Sequence, residues 1–124
     1  QQQEQAINDQ NLLASYATEQ DLIAARDESI NHRQLRLTEI SEKQSQLKQK
    51  QLSLQQQAAD QELSGKGVSA NLQSRLDNTR QEIEHNIDMV KQLNEEIAQL
   101  TTQYDADLTR LRDLLQAKNN TAEN

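Results

Sequence analysis

The stretch Leu63-Ser64-Gly65-Lys66-Gly67-Val68-Ser69 holds both glycines of a 124-residue chain that has no proline. It decides the fold, because everything on either side of it reads as long helix. Glycine supplies the left-handed backbone that ends many helices, and Ser69 is placed to cap a second helix starting near Ala70. The reading is therefore a turn over 64–69 between two arms of similar length. The first arm begins at Thr18-Glu19-Gln20-Asp21, a capping-box-like start with Ala17 and Leu22 as a weak hydrophobic staple, and runs to Leu63.

Outward from the turn, the second arm carries a seven-residue ladder, Leu76, Ile83, Val90, Ile97, Tyr104 and Leu111, at heptad position a. Position d is filled by Leu72, Thr79, Asn86, Leu93, Leu100, Asp107 and Leu114. The first arm follows with Tyr16, Ile23, Ile30, Leu37, Gln44, Gln51 and Ala58 at a, and Leu12, Glu19, Arg26, Arg33, Ile40, Leu47, Leu54 and Gln61 at d. Both carry the period of a coiled coil. The fold class expected is all-α: a long antiparallel helical hairpin, a two-stranded coiled coil turning at Gly65 and Gly67. Arms of about 45 residues would be about 68 Å long at 1.5 Å per residue.

Centring the hairpin on Gly65 places residue n opposite 130 minus n. Apolar residues then meet apolar ones: Leu54 with Leu76, Leu47 with Ile83, Ile40 with Val90, Ile30 with Leu100. Gln44 falls opposite Asn86 and Gln51 opposite Thr79, so the polar interruptions coincide and can bond across the seam. Polar layers of this kind fix register at a cost in stability. Farther from the turn, Arg26 is expected to lay its stem over Tyr104 and reach Asp107. Residues 1–17 read as a polar N-terminal extension, 18–118 as the hairpin, with arms 18–63 and 70–118, and 119–124 as a disordered tail.

Composition narrows the function classes. Only 33% of residues are apolar and 2% aromatic, against about 45 to 50% apolar in an ordinary globular domain, so a compact core is excluded. Without cysteine there are no disulfides or thiolate metal sites. A net charge of -7, with basic residues scattered among acids, disfavours nucleic acid as a partner. Apolar runs reach two or three residues, far below the roughly 20 needed to cross a bilayer. The chain opens at Gln1 without an initiator Met, which raises the expectation of a removed leader or upstream domain.

No constellation carries catalysis. His32 and His85 fall on different levels at outward positions, so they share no metal, and the Glu82-x-x-His85 step lacks the second copy that a di-iron bundle needs. Acid pairs such as Glu95-Glu96 and Asp105 with Asp107 read as solvated faces, and no Ser or Thr has a His and Asp to activate it. No cofactor is expected. What remains is an apolar excess outside the seam: Leu22, Leu35, Leu52, Ile87, Leu108 and Leu115. These residues mark a surface for a protein partner, either a second copy or another protein; the alternative is that Gln and Lys stems cover them.

Leu12-Leu13-Ala14-Ser15-Tyr16-Ala17-Thr18-Glu19-Gln20-Asp21-Leu22, followed by Ala25-Arg26-Asp27, resembles the opening of the helical region in a group of uncharacterised proteobacterial envelope proteins. Ala58-Ala59, Gly65 with Val68-Ser69, and Tyr104-Asp105-Ala106-Asp107-Leu108 with Arg110 extend the likeness over 12–114. In that group a signal peptide, and often a small β module, precedes the coiled coil, so the resemblance implies a periplasmic location; the alternative is cytoplasmic. Members commonly have Pro in the turn, where Lys66-Gly67 stand here. The group brings no activity or catalytic residue with it. The expected function is a non-enzymatic spacer or docking rod of the envelope, with a holdase-like periplasmic chaperone as the alternative.

Overall fold

The computed structural model describes residues 1–123; of Glu123 it describes the backbone only. It is all-helical: α1 (Gln2–Ser15), α2 (Glu19–Leu63) and α3 (Ala70–Glu123), with the long helices packed together. The chain divides into a three-helix unit, Gln1–Arg33 with Glu95–Asn124, and a turn-side unit, Gln34–Asn94.

Local chemistry sets the helix boundaries. At the start of α2 the Thr18 Oγ1 accepts a hydrogen bond from the Asp21 N–H at 3.1 Å, and the Asp21 carboxylate accepts one from the Thr18 N–H at 3.3 Å. This reciprocal cap satisfies two donors that a helix start leaves without partners. At its other end, the Ser64 N–H reaches the Asp60 carbonyl at 3.1 Å and the Gly65 N–H the Glu62 carbonyl at 3.0 Å. Gly65 and Gly67 both adopt left-handed φ, 79° and 72°, which a side chain at either position would oppose. Ser69 then caps α3, its Oγ accepting from the Leu72 N–H at 3.2 Å. Its own N–H donates back to the Gln61 Oε1 at 2.8 Å, tying the end of α2 to the start of α3.

In the turn-side unit the buried residues are Ile40, Leu47 and Leu54 from α2 and Leu72, Thr79, Ile83, Asn86 and Leu93 from α3. All sit at a or d, so the apolar core is one seam wide. Helices built this way are stable only because each turn contributes one contact with the partner helix.

The three-helix unit departs from the expected outline. Residues 2–15, expected as an extension, form α1, which ends where Tyr16 becomes extended (φ -133°, ψ 116°). The reason is composition: Gln, Glu, Ala, Asn and Leu without Gly or Pro suit a helix, and Thr18 restarts the chain as a separate one. At the other end α3 continues through 119–123 instead of dissolving after Lys118, for the same reason; Asn124 lies outside the described residues.

Candidate interaction surfaces

Within the turn-side unit the Asn86 Nδ2 donates to the Gln44 Oε1 at 3.1 Å, and the Gln44 Nε2 donates to the Ile83 carbonyl at 3.1 Å. The expected pair is thus joined, with Asn86 6% exposed. The second expected layer is not. Thr79 is buried, but its hydroxyl donates to the Arg75 carbonyl of its own helix at 2.8 Å, and Gln51 makes no bond to it. A helical threonine has this partner always within reach one turn back, so it needs none across the seam.

Beside the Gln44–Asn86 pair lies an open groove of about 520 Å³, walled by Leu37, Ser41, Ser45 and Lys48 of α2 and by Ile87 and Val90 of α3. Leu35, Leu52 and Ile87 are exposed at 64%, 62% and 56%. They belong to this unit and remain available to a partner. The other three flanking residues are less exposed. Leu22, expected on the outside, is fully buried, and Leu108 and Leu115 are half-buried. All three lie in the unit that holds α1, where burial spreads beyond a and d to Ala25, Ser29, Leu108 and Arg110.

What holds α1 is a two-pronged clasp. Arg110 donates from Nε and Nη2 to both carboxylate oxygens of Asp9, at 2.9 and 2.8 Å, and the Gln5 Nε2 adds a third bond at 2.9 Å. The hydrogen bond from Arg110, then that from Gln5, holds the Asp9 carboxyl down at about 2, with partial burial acting in the opposite direction. The same clasp raises the Arg110 pKa further. Tyr16, at the junction, has its phenol pushed up, first by burial and then by the nearby Tyr104 and Asp107.

The charged d positions of α2 all turn outward to α3. Arg33 pairs with Glu96 at 3.2 Å and donates to the Ser29 carbonyl and hydroxyl. Glu19 pairs with Arg112. Arg26 was expected to reach Asp107; it bonds instead to its neighbour Asp27 at 3.2 Å and approaches Asp105 at 3.8 Å. Heptad spacing does not reveal the clasp or the Arg33–Glu96 and Glu19–Arg112 pairs. The i, i+4 spacing of Gln5 and Asp9 was the one signal that pointed to α1.

His32 and His85 are both exposed. Among the described residues no three His, Cys, Asp or Glu side chains gather as a metal-binding group, and no helix is long and apolar enough to cross a membrane. The grooves are open and polar-rimmed, which suits contact with another surface better than enclosure of a small molecule. No protein-family model, curated protein or solved structure matches the chain.

Proposed function

We propose that the chain is a non-enzymatic helical spacer or docking module of the cell envelope, with its two long helices paired as an antiparallel two-stranded coiled coil turning at Gly65 and Gly67. The pairing rests on one observation, the register of its polar contacts. Gln61 meets Ser69 and Gln44 meets Asn86 in one unit; Arg33 meets Glu96, Arg26 meets Asp105 and Glu19 meets Arg112 in the other. Each joins n to within one residue of 130 minus n, the relation an antiparallel hairpin centred on Gly65 demands. The docking role is supported by the exposed Leu35, Leu52 and Ile87, and the envelope location by the resemblance carried by 12–22 with Ala25-Arg26-Asp27.

Small-angle scattering with absolute mass tests the architecture. A closed hairpin gives a maximum dimension of about 80 Å, set by the 54-residue α3, and an opened one roughly twice that, at about 1.5 Å per residue. The longer value sinks the hairpin. Fractionation of source cells tests the location: recovery in the periplasmic fraction is expected, and recovery with cytoplasmic markers refutes it.

A further inference from the structure

The face of the turn-side unit that carries the groove is also the face that carries Leu52. Lys48 lines the groove, and Leu52 follows it by four residues, one turn farther along the same side of α2. That side therefore presents, at spacings of four, three and four, Ser41, Ser45, Lys48 and Leu52. Two small residues are followed by two large ones. Reversing the order turns the set into its own complement, so a second copy laid antiparallel about a two-fold axis between Ser45 and Lys48 sets Leu52 against Ser41 and Lys48 against Ser45. Leu52 then enters the other copy's groove, against its Leu37, Ile87 and Val90, and the same contact recurs on the far side of the axis. An isologous contact requires this kind of self-complementary patch.

Charge agrees with shape. Neither Lys48 nor Glu84 has an ion-pair partner within 4.0 Å among the described residues. Glu84 stands one turn before Ile87 on the α3 side of the groove, so the reversed copy brings its Lys48 toward this carboxylate and receives the reciprocal pair. We propose that this face is the docking surface of the module and that its occupant is a second copy of the chain, giving a two-fold dimer through α2. The proposal rests on the docking-module reading and names its partner.

The chain has no cysteine of its own, which makes cross-linking a clean test. In S41C/L52C the two thiols of one chain lie about 16 Å apart along α2 and cannot bridge, because a disulfide needs Cα atoms within about 7 Å. Mild oxidation of the full chain is expected to give a covalent dimer, whereas E39C/K50C, with the same spacing on the opposite side of α2, stays monomeric. Sedimentation over a concentration series should show K48E and E84K each weakening association about tenfold and K48E/E84K restoring it. No covalent dimer, equal cross-linking of both variants, or a single-chain mass at millimolar concentration overturns the dimer. Q44C/N86C reports on the hairpin independently by forming a bridge within one chain. If that bridge forms while S41C/L52C stays monomeric, the partner is wrong and the hairpin stands; if it fails, both fall.

Discussion

The turn-side unit and the three-helix unit are built from the same two long helices, yet they solve burial differently. Of the 13 basic and 20 acidic residues, eight of each lie in 34–94, leaving five against twelve in the other unit, which thus carries the whole net charge of -7. The turn-side unit is neutral; its fully buried residues all lie in the seam, with Met89 half-buried beside them. The three-helix unit is acidic, places arginines at seam positions, and gains a third helix. The difference teaches that the apolar residues beside a coiled-coil seam have no fixed meaning: Leu22 is core where α1 is present, while Leu52 and Ile87 are surface where it is absent.

Truncating buried leucines tests that comparison most severely. Leu22→Ala and Leu111→Ala in one unit, and Leu54→Ala in the other, are each expected to cost about 2 to 5 kcal/mol in urea unfolding, the range for large-to-small core changes. Leu35→Ala, at an exposed position, should stay within about 0.5 kcal/mol. If Leu22→Ala is as mild as Leu35→Ala, the three-helix core is wrong. Next come the polar layers. Gln44→Leu alone strands the buried Asn86 amide and should cost about 1 to 3 kcal/mol. Gln44→Leu with Asn86→Leu should instead raise the melting temperature while loosening register or assembly, and a destabilised double variant with unchanged assembly would refute the register role.

Removing the α2 cap is a smaller perturbation. Thr18→Ala is expected to cost about 1 kcal/mol, with faster amide exchange confined to the first turn of α2. The mildest test is acid. Asp9 is held at about 2, below its ordinary 3.8, so the clasp contributes fully above about pH 4 and is lost as pH falls through about 2. Amide exchange in α1, taken relative to the intrinsic rate at each pH, should rise as the pH drops through that window in the native chain. In Arg110→Met it should already be fast at neutral pH; an unchanged profile there would show that the clasp does not hold α1.

Much of this was legible in the sequence because the signals are local. Thr18 with Asp21, the two glycines and Ser69 each set a boundary through groups within a few residues, and Gln44 with Asn86 followed from arithmetic once the turn was placed. Three of the features that were not legible show separate reasons. α1 has no apolar ladder, and the clasp that ties it down joins residues 101 positions apart. Thr79 has a partner on its own helix that spacing alone does not rank against a distant glutamine. Arg26 chooses between carboxylates two residues apart on α3, a matter of side-chain rotamer, not of pattern.

The turn has one further consequence. Lys66 stands exposed between two left-handed glycines, in the connection that joins α2 to α3. A single tryptic nick there would leave the bond from Gln61 to Ser69 and the seam untouched while cutting the covalent tether. The severed halves become two separate peptides, and the cohesion of the fold, otherwise hidden inside one molecule, turns into a dissociation constant that dilution can read.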